Sequence, residues 1–266
     1  KAQDVTNADG FIVGDSPMRL TPDATSLQNW ASNVNLAVED NDNGLVSTDE
    51  YLGVFYPSGF TSDNFGNNVV VPSSHMMLRT IALSDQVSFP WFAPAGTRRG
   101  GITNASSTGY ISNEGEFVST ALNEGQRDTL YSNNVNPITF ITGAGLVNYG
   151  QKTRFAGSSA LDRINVARLV IYMRSQLNKL ARPYVFEPND KITRDEIKAQ
   201  AESLLLELVG NRAIYDFLVV CDESNNTPTR IDRNELYLDI AIEPVKAVEF
   251  IYVPLRLKNT GEIAGL

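Results

Sequence analysis

The chain has 266 residues, 42% hydrophobic and 20% charged, with a formal charge of −9, an ordinary globular composition long enough for one large domain or two medium ones. Its cationic residues are scattered and not gathered into a stripe, which argues against nucleic acid as a partner, and no apolar run approaches the ~18 residues of a membrane helix. A single cysteine, Cys221, and a single histidine, His75, exclude a disulfide framework and a histidine-rich metal site.

The chain begins at Lys1, inside an already patterned segment, so a longer parent protein is expected; Lys1-Ala2-Gln3-Asp4 is no signal peptide. The spacing of Leu27, Trp30, Val34 and Val38 predicts a short amphipathic helix over 21–37. Glu39-Asp40-Asn41-Asp42-Asn43-Gly44 reads as a polar turn. Counted from Glu39, Gly44 falls sixth and Glu50 twelfth, as in a calcium loop, but Tyr51-Leu52-Gly53-Val54-Phe55-Tyr56 reads as a strand where that motif needs a helix. Val69-Val70-Val71 is another strand, and Pro72-Ser73-Ser74 opens a helix that places His75 near its start.

The stretch 88–101 is loop-like, and 103–115 is polar and rich in glycine and serine, which predicts an exposed loop or a domain boundary. A polar helix over 124–131 follows, then two short strands joined at Gly143-Ala144-Gly145. Over 159–181, Val166, Val170, Met173, Leu177 and Leu180 share one helical face and Ile164, Ala167 and Ile171 a neighbouring one. So wide a stripe predicts a central, mostly buried helix. Thr193-Arg194-Asp195-Glu196 reads as a capping box for a helix that stops at Gly210-Asn211. Strands are expected over 215–221, 236–242 and 248–258. The last alternates Ile251, Val253, Leu255 and Leu257 with Phe250, Tyr252, Arg256 and Lys258, and Pro254 confines it to an edge.

Candidate chemistry is sparse. Gly143-Ala144-Gly145 lacks the third glycine of a dinucleotide fingerprint, that position being Asn148. Arg98-Arg99-Gly100-Gly101 suits an anion, but no phosphate-loop lysine follows, so an exposed loop is the reading preferred, with Arg98 and Arg99 candidates for pairing with an acidic patch of another subunit. Cys221-Asp222-Glu223 ends a strand, where α/β enzymes place catalytic groups, yet a buried thiol followed by turn-forming acids is the reading preferred. No cofactor, metal or catalytic residue is expected.

Trp91-Phe92-Ala93-Pro94-Ala95-Gly96 with Arg99-Gly100, Asn134-Val135-Asn136-Pro137-Ile138 and Gly145-Leu146-Val147-Asn148-Tyr149-Gly150-Gln151-Lys152-Thr153 resemble the C-terminal half of contractile tail sheath proteins of myophages and related injection systems. The likeness continues through Ile164-Asn165-Val166-Ala167-Arg168-Leu169, Phe186-Glu187-Pro188-Asn189-Asp190 and the final strands, and covers most of the chain from about Tyr51. It implies an α/β (α+β) fold of mixed sheets flanked by helices, in two parts: 1–115 from an outer or middle domain and 116–266 an inner domain, ending in an edge-strand arm over about 247–258.

By the same resemblance the protein is a structural, non-enzymatic subunit that polymerises helically around an inner tail tube and contracts to drive the tube through a host envelope. Its implied partners are itself, the tube protein, and baseplate and tail terminator proteins, with no nucleic acid and no membrane insertion. Its implied place is the virion tail, assembled in host cytoplasm. Phe250, Ile251, Val253, Leu255 and Leu257 are the expected intersubunit arm residues. The competing classes are a monomeric virion-decorating or carbohydrate-binding module and, behind it, an α/β hydrolase.

Overall fold

The computed structural model describes residues 10–33, 45 and 48–252. Val34, Val38, the acidic turn at 39–44, and the arm residues Val253, Leu255 and Leu257 lie outside them.

The first sheet has the order β1 (Ile12–Gly14), β2 (Leu52–Tyr56), β7 (Asn136–Ile141), β8 (Gly145–Asn148); the first three strands run parallel and β8 turns back antiparallel on β7. Every residue of β2 is buried, as expected of a parallel strand covered on both faces. Val54 and Tyr56 join a cluster with Leu27 and Trp30 of α1 (Ala24–Ala31) and Leu130 of α4 (Glu124–Ser132), whereas Phe55 points the other way, onto Met76 and Met77 of α2 (Ser73–Val87). The Tyr56 hydroxyl donates to the Leu20 carbonyl at 2.8 Å, and burial pushes its pKa up. Gly143 and Gly145 take φ of 85° and 80° in the β7–β8 turn, a conformation glycine adopts at no steric cost.

Helix α2 starts at the expected place, but its cap comes from far away. Pro72 offers no side-chain cap, and Asp15 fills the role, its carboxylate accepting the Ser74 amide at 2.6 Å and the Ser73 and Ser74 hydroxyls at 3.1 and 2.8 Å.

The second sheet is antiparallel, in the order β4 (Asn68–Val71), β3 (Ser58–Ser62), β5 (Ser107–Ile111), β6 (Phe117–Ser119). Its inner strand β5 occupies the stretch expected to be loop or boundary. A Cβ on Gly109 would lie 2.1 Å from the Val118 carbonyl oxygen, so the glycine there permits the close approach of β6. The β5–β6 and β2–β7 ladders both cross from residues before 116 to residues after it. The sheets are therefore continuous where the two parts were divided.

The rest of the described chain is a helical module. After a 3₁₀ turn, Ala160–Asp162, α5 (Ile164–Ala181) runs against α6 (Lys191–Gly210) and the two-stranded antiparallel sheet of β9 (Ile214–Val220) and β10 (Asp239–Pro244). Helix α5 is buried from Ile164 to Leu169 and again at Met173, and only partly covered afterwards, which corrects the reading of a mostly buried helix. Its wide stripe is explained at its start: Ile164 packs in the Phe55 cluster, Ala167 against Tyr51, and Leu169 with Leu205 and Val219. Helix α6 begins at Lys191, not at Thr193. Asp190 is the cap, accepting the Thr193 amide at 2.9 Å, so Thr193 lies one turn inside. Two further short helices, α3 (Gly96–Arg99) and α7 (Pro228–Asp232), sit in connections.

Candidate assembly surface

The residues weighed for chemistry are dispersed. His75 lies exposed in the first turn of α2. The Cys221 thiol is buried just past β9, and burial pushes its pKa up, away from the thiolate. Asp222 beside it is held low by hydrogen bonds from Ser224. No group of three or more metal-ligating side chains occurs among the described residues.

What the structure does show is unpaired sheet edge and exposed apolar surface in the last part of the described chain. Strand β9 pairs only with β10, so among the described residues each strand keeps one open edge. The inner face of this ribbon, with Phe217, Val219, Ile240 and Ile242, packs on the α5–α6 module. On the outer face Leu218 stands opposite Ala241 and is 61% exposed, and Asp216 stands opposite Glu243, two like charges in direct register. The far end of the ribbon is pinned by a polar network: Asn225 Nδ2 donates to the Val220 carbonyl and to Asp239 Oδ2, both at 2.8 Å, and Asn226 Oδ1 accepts the Tyr237 amide at 2.7 Å. Neither asparagine was singled out in the sequence, where both read only as turn formers.

The expected terminal strand is absent from its described portion. Residues 245–252 belong to no ladder, and Val248, Phe250, Ile251 and Tyr252 are exposed, Tyr252 to 88%. An alternating segment becomes a strand only when a partner edge accepts its backbone groups, and among the described residues none pairs with it. Its root is held: the Val245 amide donates to the Ala213 carbonyl at 3.0 Å, and Glu249 is bound by Arg163 through both guanidinium branches. Burial acts against the Arg163 cation, but the Glu249 hydrogen bond and charge outweigh it, so the Arg163 pKa is raised.

Between this root and the Trp91–Arg99 loop runs a groove of about 700 Å³. The Arg99 guanidinium lies over the Phe92 ring at 4.6 Å, and burial, with the charges of Arg98 and Arg212, lowers its pKa. Arg98, by contrast, is exposed at the end of α3. The two arginines expected to act together therefore stand in different surroundings, one stacked within its own chain and one free to meet another surface.

Residues 157–258 match the family model of the phage tail sheath C-terminal domain. The chain is 35% identical, over 90% of its length, to the tail sheath protein of Vibrio phage KVP40, covering 35% of that protein. It is 31% identical over 93% of its length to the tail sheath protein of Enterobacteria phage T4, covering 36% of it. The chain thus spans about a third of the length of these curated relatives. Its fold matches that of a solved extracellular contractile injection system, the PVC sheath complex in its contracted state, with a TM-score of 0.74 and 16% identity over 97% of this chain and 66% of that one.

Proposed function

We propose that the chain belongs to the phage tail sheath family and is part of a structural subunit that polymerises helically around an inner tail tube and shortens to drive the tube through a host envelope. One observation carries the reading: among the described residues, an exposed apolar segment at 248–252 belongs to no ladder and a two-stranded sheet has two open edges, both in the same chain. Each supplies what the other lacks, so a second copy is the natural partner for strand addition. The charges agree. The outer face of the ribbon carries Asp216, Asp239 and Glu243, and the arm sequence carries Arg256 and Lys258.

In this proposal Phe250, Ile251, Val253, Leu255 and Leu257 form the strand that enters a neighbour, and Arg98 meets an acidic surface of an adjacent subunit, while Arg99, stacked on Phe92, braces the loop that carries it. Residues from 116 onward supply the tube-facing side, and earlier residues the outer side, of a body whose sheets they share. Baseplate and terminator proteins close the two ends of the polymer in the virion tail, which is assembled in host cytoplasm. The work is mechanical: near-rigid subunits pass between two helical arrangements, and no catalytic step is assigned. This chain's net charge of −9 makes copies repel at long range, so assembly depends on local contacts that overcome the repulsion.

The test is negative-stain electron microscopy of the full-length protein and of this chain, over a range of concentration and salt. Hollow tubes from the full-length protein bear the proposal out. Dispersed particles under all conditions would move the weight to a monomeric decorating or carbohydrate-binding module.

A further inference from the structure

The arm root follows β10 directly, and its polar contacts converge on one carboxylate. Arg163 Nε and Nη2 reach the two oxygens of Glu249, the second at 3.1 Å, and Gln151 Nε2 donates to the same group at 3.2 Å. The Tyr131 hydroxyl also contacts it, and burial followed by the Glu249 charge raises the tyrosine's pKa. Arg163 is itself placed from two sides. It is the residue that precedes α5, and it forms an isolated bridge with Lys152 next to β8, while its Nη1 meets Asp162 at 3.0 Å. A bidentate guanidinium–carboxylate pair fixes direction as well as distance. Immediately past Glu249 every described side chain is largely exposed.

The position of this pair matters because of what precedes it. Strand β10 ends at Pro244, and the ladder there is already irregular, with a register shift between Glu243 and Pro244. Tension applied to a chain that continued freely from Pro244 would act on the last rung of the β9–β10 ladder and open it rung by rung. With Glu249 held, the same tension passes into the start of α5 and the segment after β8, both buried in the core.

We propose that Arg163 and Glu249 are the positioning residues of the arm: they anchor its root to the body, so that 245–249 moves with the helical module and the free, strand-adding part starts at Phe250. This rests on the reading of the arm as an intersubunit element, but its test does not need tubes.

Backbone ¹⁵N relaxation of this chain gives order parameters along 240–252. In the native sequence, residues 246–249 are expected near the ~0.85 of rigid backbone, falling below about 0.6 from Phe250 onward. Glu249→Gln, nearly isosteric but uncharged, is expected to extend the mobile segment back to Lys246 while values in β2 and β9 stay unchanged; Arg163→Glu combined with Glu249→Arg is expected to restore order to 246–249. Low order through Glu249 in the native chain, or no change in Glu249→Gln, overturns the anchor. Because the measurement is made on the isolated chain, a failed anchor and a full-length protein that forms no tubes are separate results.

Discussion

Strands β2, of five residues, and β9, of seven, are both mostly apolar and opposite in situation. Strand β2 has a neighbour on each edge and a packed cluster on each face, and every residue in it is buried. Among the described residues, strand β9 has one neighbour and one covered face, and Tyr215, Asp216 and Leu218 are exposed. Selection for stability alone accounts for the first. The second leaves backbone donors and apolar area unused in the free chain, which is the state expected of a surface completed by another copy.

The sharpest way to break this contrast is to mutate equivalent apolar positions on either side of it. Phe55→Ala in β2 removes a fully buried ring and is expected to cost about 3–5 kcal/mol of unfolding free energy in urea titration. Leu218→Asp in β9 is expected to leave stability within about 0.5 kcal/mol yet to abolish tube formation by the full-length protein. An equal loss of stability in both variants would show that β9 is as finished as β2.

The two arginines refine the comparison at smaller scale. Arg99→Ala is expected to destabilise the chain by about 0.5–1 kcal/mol through loss of its stack on Phe92, whereas Arg98→Ala leaves unfolding unchanged and weakens only contracted tubes against dissociation. Contracted tubes of Arg98→Ala as durable as the parent's would remove Arg98 from the interface.

The smallest effect is one of pH, in the helix caps. Hydrogen bonds from Thr21 and Ser26 hold the Asp23 carboxyl below its ordinary value. A carboxyl depressed by folding contributes its stability above the unfolded-state value near 4 and loses it as the pH falls through the lower folded value. Thermal unfolding of the native chain is therefore expected to fall further below about pH 4 than that of Asp23→Ser, with the two curves parallel above pH 5.

Much of the buried half was legible because its signals are local. The apolar run at 51–56, the glycines at 143 and 145 and the stripe at the start of α5 each announce one element. Strand β5 was not legible, since serine, threonine and glycine pair there through their backbones and are covered by position, not by hydrophobicity. The cap of α2 escaped because Asp15 lies 59 residues from Ser74, and the Arg163–Glu249 pair because 86 residues separate its members. At the assembly surface the alternation of the arm was visible, but alternation describes a face awaiting a partner and does not by itself create a ladder.

Strands β2 and β3 are separated by Pro57 alone, so one unbroken stretch of backbone belongs to both four-stranded sheets. There is no slack at that junction for a hinge. The β4–β3–β5–β6 sheet is thus joined to the buried strand β2 through one residue, so a displacement of the small sheet reaches the core with a single residue of backbone to absorb it.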